Sequence, residues 1–143
     1  MATHVFDGFR SPDNVATPGQ NGDTYILDAG TNLNVISGAD VTIMAFGYNA
    51  NIAVDQGGKD TIYNEGTNTA LSVMQNTNPT TIDFYGGMWW SRPTFEIMTQ
   101  SGAPVIPTVS PDGNLGTFIK DGNVTIDLKY VGWVAPSQII THT

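Results

Sequence analysis

Between Tyr25 and Trp90 one short pattern returns four times, and it constrains the fold more than any other feature of the chain. An isoleucine recurs at Ile26, Ile43, Ile62 and Ile82, and a glycine follows each after four residues, at Gly30, Gly47, Gly66 and Gly86. Asparagine stands two residues past the first three glycines, at Asn32, Asn49 and Asn68, and an aliphatic residue three further on, at Val35, Ile52 and Leu71. Successive copies lie 17, 19 and 20 residues apart, and each holds two short apolar runs separated by a Gly-x-Asn turn. A unit of two strands and two turns cannot bury its apolar face alone, so it must stack on its neighbours. The expectation is an all-β fold, a parallel β-solenoid of three to four coils. In it the four isoleucines stack in one inward ladder, and Val35, Ile52 and Leu71 face them from the opposite strand. Helix is excluded by the glycines and β-branched residues inside every run and by an apolar period of two.

Composition narrows the partners. Charged residues are only 13% of the chain, about half the globular average, so polar surface must come from Asn, Thr, Ser and Gln in strands and turns. The net charge of −8 argues against nucleic acid and anionic membrane, both of which need a basic surface, and it permits cation binding. Cysteine is absent, which removes disulfides and thiolate metal sites. No apolar run approaches the roughly 20 residues of a membrane helix, so membrane insertion is not expected. The first residues carry no basic and apolar signal region, so export would use another route.

A single domain of 143 residues divides into three parts. Residues 1–22 lack periodicity and read as an N-terminal arm or cap, residues 23–90 as the coils, and residues 91–143 as an aromatic segment with a closing hairpin. In that last part, strand-like runs at Thr117–Lys120 and Asn123–Leu128 are joined by Asp121-Gly122, a strong hairpin signal, so a C-terminal β-hairpin should cap the roll.

Aspartates precede the first three ladder isoleucines, in Gly22-Asp23-Thr24, Gly38-Ala39-Asp40 and Gly58-Lys59-Asp60-Thr61-Ile62-Tyr63. As residues alone they are good turn formers. The last of these stretches resembles the Gly-x-Asp-Thr-Leu-Tyr core of the calcium-binding nonapeptide repeats of hemolysin-type, type I-secreted bacterial proteins. The run Pro111-Asp112-Gly113-Asn114-Leu115-Gly116-Thr117 through Pro136-Ser137-Gln138-Ile139 resembles the segment that closes many such proteins. That resemblance implies a parallel β-roll, life outside the cell, and calcium held between turns, with Asp60 the good match and Asp40 and Asp23 partial ones. The fourth copy has Thr80 in place of the aspartate, and the second corner of each coil has Gly-x-Asn in place of Gly-x-Asp. The candidate calcium ligands are therefore Asp40 and Asp60.

Met88 to Ser110 is the least regular stretch and concentrates Trp89, Trp90, Arg92 and Phe95. Adjacent tryptophans on a strand point to opposite faces, so at most one of Trp89 and Trp90 enters a core. With Tyr85 and Arg92 they are the candidate interface or ligand residues, serving as an aromatic plug, a subunit contact or a carbohydrate platform. Catalytic signatures are absent: no Gly-x-Ser-x-Gly, no His-Glu-x-x-His, no phosphate loop, and both histidines, His4 and His142, lie near the termini. The expected function is that of a non-enzymatic structural or interaction protein, a homo-oligomer on a bacterial or phage particle surface. The alternative is a calcium-dependent secreted module that binds carbohydrate.

Overall fold

A computed structural model of the chain describes residues 2–7, 13–16, 22–28, 32–35, 40–46, 51–54, 58–66, 69–75, 79–86, 94–99, 108–111, 116–129 and 139–142. The described residues are all-β and contain no helix. Fourteen strands form two open sheets. The larger has eight strands in the order β1 (Thr3–Asp7), β3 (Thr24–Asp28), β5 (Thr42–Ala45), β7 (Gly58–Asn64), β9 (Thr80–Tyr85), β13 (Val124–Lys129), β12 (Thr117–Asp121) and β11 (Thr108–Pro111). The smaller has six, in the order β14 (Ile139–His142), β10 (Thr94–Thr99), β8 (Ala70–Gln75), β6 (Asn51–Val54), β4 (Asn32–Val35) and β2 (Asp13–Ala16). Consecutive strands go to opposite sheets, and strands two apart in sequence pair in parallel. The exceptions are at the C-terminal end: β12 pairs antiparallel with β13 and with β11, while β13 pairs in parallel with β9 and β14 with β10, each four strands back in sequence.

One buried apolar cluster draws on both sheets, with Ile43, Ile62, Ile82, Phe84, Ile126 and Leu128 from the larger and Ile52, Val54, Leu71 and Val73 from the smaller. Burial alternates residue by residue along β5, β7, β9 and β13, as expected of a sheet with one face on a core. At some 25 cal/mol per Å², each of these fully covered large side chains contributes about 1.5–3 kcal/mol.

The inward ladder differs from the one expected at both of its ends. Tyr25 and Leu27, both buried, face the core from β3, and Tyr25 rather than Ile26 pairs with Ile43. Ile26 is half-buried on the opposite face. Further along, Ile62 pairs with Phe84, whereas Ile82 is registered with Asp60 and Ile126. The continuous inner row of the larger sheet therefore runs Tyr25, Ile43, Ile62, Phe84, Leu128. In the smaller sheet Val35 aligns with Val54 and Val73, and it is Leu33 that aligns with Ile52 and Leu71. Asn32 stands beside Asn51, while Asn49 and Asn68 lie outside the described residues.

Two segments carry more of the fold than expected. Residues 1–22 contribute β1 and β2, each paired in parallel with the strand after next, so the N-terminal cap repeats the pattern of the strands behind it. Beyond residue 91, β10 and β14 extend the smaller sheet, and β13 adds a parallel strand to the larger one. The closing hairpin is present, with Gly122 and Asn123 as its two turn residues and Gly122 at a φ of 53°, which glycine adopts without steric cost. It lies in the plane of the larger sheet and lengthens it.

Candidate functional site

The aspartates that precede β3, β5 and sit within β7 act across strand boundaries. Asp40 Oδ1 accepts the Lys59 N–H at 2.8 Å, and Asp60 Oδ1 accepts the Val41 N–H at 3.1 Å. The two corners therefore staple each other in opposite directions. Asp23 Oδ1 accepts the Ala2 N–H at 2.8 Å, and its Oδ2 lies 3.1 Å from His4 Nε2, whose ring stacks on Tyr25 at 4.9 Å. The His4 hydrogen bond and the Ala2 N–H hold the Asp23 carboxyl below the usual carboxylate range. Tyr25 is pushed up by burial and by Asp23.

Asp23 and Asp60 are both buried, at 5% and 2% exposure, but Asp60 sits on the inner face beside Ile82 without a histidine partner in its shift. Burial pushes its carboxyl up to about 7, Asp40 adds to the rise, and the Val41 N–H opposes it. As a calcium pair, Asp40 and Asp60 are brought to neighbouring corners, but one oxygen of each already accepts a backbone N–H. Among the described residues no group of three or more His, Cys, Asp or Glu could hold a metal ion. Calcium takes six to eight oxygens, so this pair does not by itself fit the ion.

The outer face of the larger sheet carries the other candidate. Registered pairs place Val5, Ile26, Met44, Tyr63, Tyr85 and Lys129 in one row across six strands. Val5 and Tyr63 are exposed, and Phe46, also exposed, stands two residues past Met44. Tyr63 and Tyr85 stack with centroids 5.0 Å apart, and Lys129 Nζ lies 5.2 Å from the Tyr85 centroid. Beside this row runs a polar one, Thr3, Thr24, Thr42, Thr61, Asp83 and Asp127. Lys59 Nζ is 4.0 Å from Asp83, and Lys129 Nζ is 3.6 Å from Asp127. The carboxylate of Asp83, with help from Tyr85 and Asp127, raises the Lys129 ammonium above its ordinary value against the opposing effect of burial. Exposed pairs of this kind contribute about 0–1 kcal/mol each.

Of the residues singled out in the sequence, Tyr85 belongs to this outer row, while Trp89, Trp90 and Arg92 lie outside the described residues. A carbohydrate stacking on Tyr85 needs an open ring face, and its ring already has Tyr63 and Lys129 as neighbours. Val5, Ile26, Met44 and Tyr63 were not singled out as a surface. The signal for them was the alternation itself, since each stands one residue from an inward position. In comparisons with known protein families, curated proteins and solved structures, the chain matches none.

Proposed function

We propose that the chain is a small β-solenoid that works as a non-enzymatic structural or interaction protein, covered on its outer face by other subunits of an assembly. The observation that carries this reading is the outward row Val5, Ile26, Met44, Tyr63 and Tyr85, apolar or aromatic at five consecutive strands. Val5 and Tyr63 of this row are exposed and Ile26, Met44 and Tyr85 half-buried, and an apolar strip crossing that many strands keeps area in contact with water unless a partner covers it. The alternation of strands between two parallel sheets supports stacked coils, and the low charge content suits burial in an assembly, where charges would need partners. A homo-oligomer is the simplest cover, since most soluble oligomers are made of one chain. The resemblance to secreted β-roll proteins favours a place outside the cell, on a cell or virion surface.

The competing reading, a calcium-dependent secreted module, rests on Asp40 and Asp60. Sedimentation velocity with calcium and with chelator separates the two. The assembly reading predicts a particle heavier than the 15.3 kDa chain in both buffers, and lighter particles for the Met44→Asp, Tyr63→Asp double variant with unchanged β-type circular dichroism. Association that vanishes with chelator would support the calcium module instead, and an outer-face variant with the wild-type mass would remove the outer row from the account.

A further inference from the structure

The two ends of the larger sheet are built differently. At one end the edge strand is β11, four residues closed by Pro111, with Pro107 just before it. Proline at an edge removes a ladder donor and blocks further strand addition. At the other end the edge is β1, Thr3-His4-Val5-Phe6-Asp7, which contains no proline, and no strand among the described residues pairs with its outer side.

The direction of the β1 backbone groups follows from one hydrogen bond. Ala2 C=O accepts the Thr24 N–H at 2.8 Å, so Ala2 and, by alternation, His4 and Phe6 direct their backbone groups to β3. Thr3, Val5 and Asp7 therefore direct their N–H and C=O groups away from the sheet. That set is self-complementary. A second copy turned by a two-fold axis at Val5 would place Val5 opposite Val5 and Thr3 opposite Asp7, all as hydrogen-bonded antiparallel pairs with about six bonds in total. We propose that β1 is a self-association edge, pairing antiparallel with β1 of a second copy of this chain about a two-fold axis at Val5.

Three features of the chain favour a second copy over an unrelated strand. Val5, the most exposed large apolar residue among the described ones at 67%, would lie beside its own counterpart and join the two outer apolar rows into one. The two copies of position 7 would occupy backbone positions four residues apart, about 14 Å, beyond the Debye length of about 8 Å at physiological salt, so pairing does not bring these acidic positions together. Head-to-tail growth is disfavoured at the far end by Pro111 of β11, and a two-fold pairing at β1 closes after two copies. This edge shares Val5 with the outer face proposed above but engages its backbone groups, whereas Met44 and Tyr63 belong to the face alone.

The test is the Val5→Pro variant of the full chain, followed by sedimentation across a concentration series. Proline at 5 removes only an outward N–H and leaves the bonds from β1 to β3 in place. The wild-type chain should form a dimer through this edge, and Val5→Pro should weaken that dimer at least tenfold with an unchanged far-UV spectrum. Should the proline variant not fold, Val5→Lys keeps the N–H, sets two ammonium groups side by side, and should give a weaker dimer whose affinity rises with salt. A Val5→Pro chain that folds and dimerises like wild type would overturn the edge pairing while leaving the outer-face reading intact. A wild-type chain that is monomeric at every concentration would overturn it as well, and Met44→Asp, Tyr63→Asp dimers that persist would tell edge from face.

Discussion

Asp60→Asn isolates a buried carboxyl whose ionisation the fold opposes. In the folded chain this carboxyl titrates at about 7, against 3.8 in the open chain. Its folded value is raised, so between those two pH values the native state binds the proton that the unfolded state has released. The contribution is fully present below the unfolded value and is lost as pH rises through the folded one. Through linkage this carboxyl removes roughly 2 to 3 kcal/mol of stability between pH 5 and pH 8. Asparagine keeps an oxygen for the Val41 N–H and cannot ionise, although its amide needs a partner that could cost about 1–3 kcal/mol at every pH. The slope is therefore the diagnostic quantity. Urea titrations in chelator at pH 5, 6, 7 and 8 should show the stability gap between variant and wild type moving in favour of Asp60→Asn by roughly 2 to 3 kcal/mol. Asp23, held low by His4 and the Ala2 N–H, acts in the opposite sense and is common to both proteins, so it cancels. Parallel pH curves for the two proteins would refute the buried placement of Asp60.

The register makes a second contrast measurable within one strand. Leu27→Ala should cost about 2–5 kcal/mol because Leu27 is fully buried, and Ile26→Ala markedly less because Ile26 lies half-buried on the outer face. Chemical denaturation of both variants checks the order, and a larger loss at Ile26 would restore the ladder expected from the repeat.

That contrast also shows where the sequence stops being legible. The repeat, the all-β class, the hairpin and the inward positions Ile43, Ile52, Ile62, Leu71 and Ile82 could be read from periodicity, and all five are buried. The register could not be read at the ends. Tyr25-Ile26-Leu27 is an unbroken apolar run, so a period of two fits either parity, and the recurring isoleucine points to the wrong one. At β9 the 20-residue spacing hides a shift of two, which sets Phe84 in the ladder and Asp60 beside Ile82. β1 and β2 carry no periodic mark in the sequence because they lack the Gly-x-Asn turn of the first three copies. The acidic corners were visible as residues, but their use as backbone acceptors depends on which strand lies next to them. Only the pairing reveals that Asp40 reaches Lys59 while Asp60 reaches back to Val41.

The central claim is that strands two apart in sequence hydrogen-bond in parallel. Through-hydrogen-bond scalar couplings in an isotope-labelled sample test it directly, since each reports one donor and one acceptor. The account predicts couplings from the Thr24 N–H to the Ala2 carbonyl, Thr42 to Asp23, Thr61 to Val41 and Glu65 to Ala45. Couplings that instead join Thr42 or Thr61 to carbonyls of the strand immediately before them, as in a meander of hairpins, would contradict it.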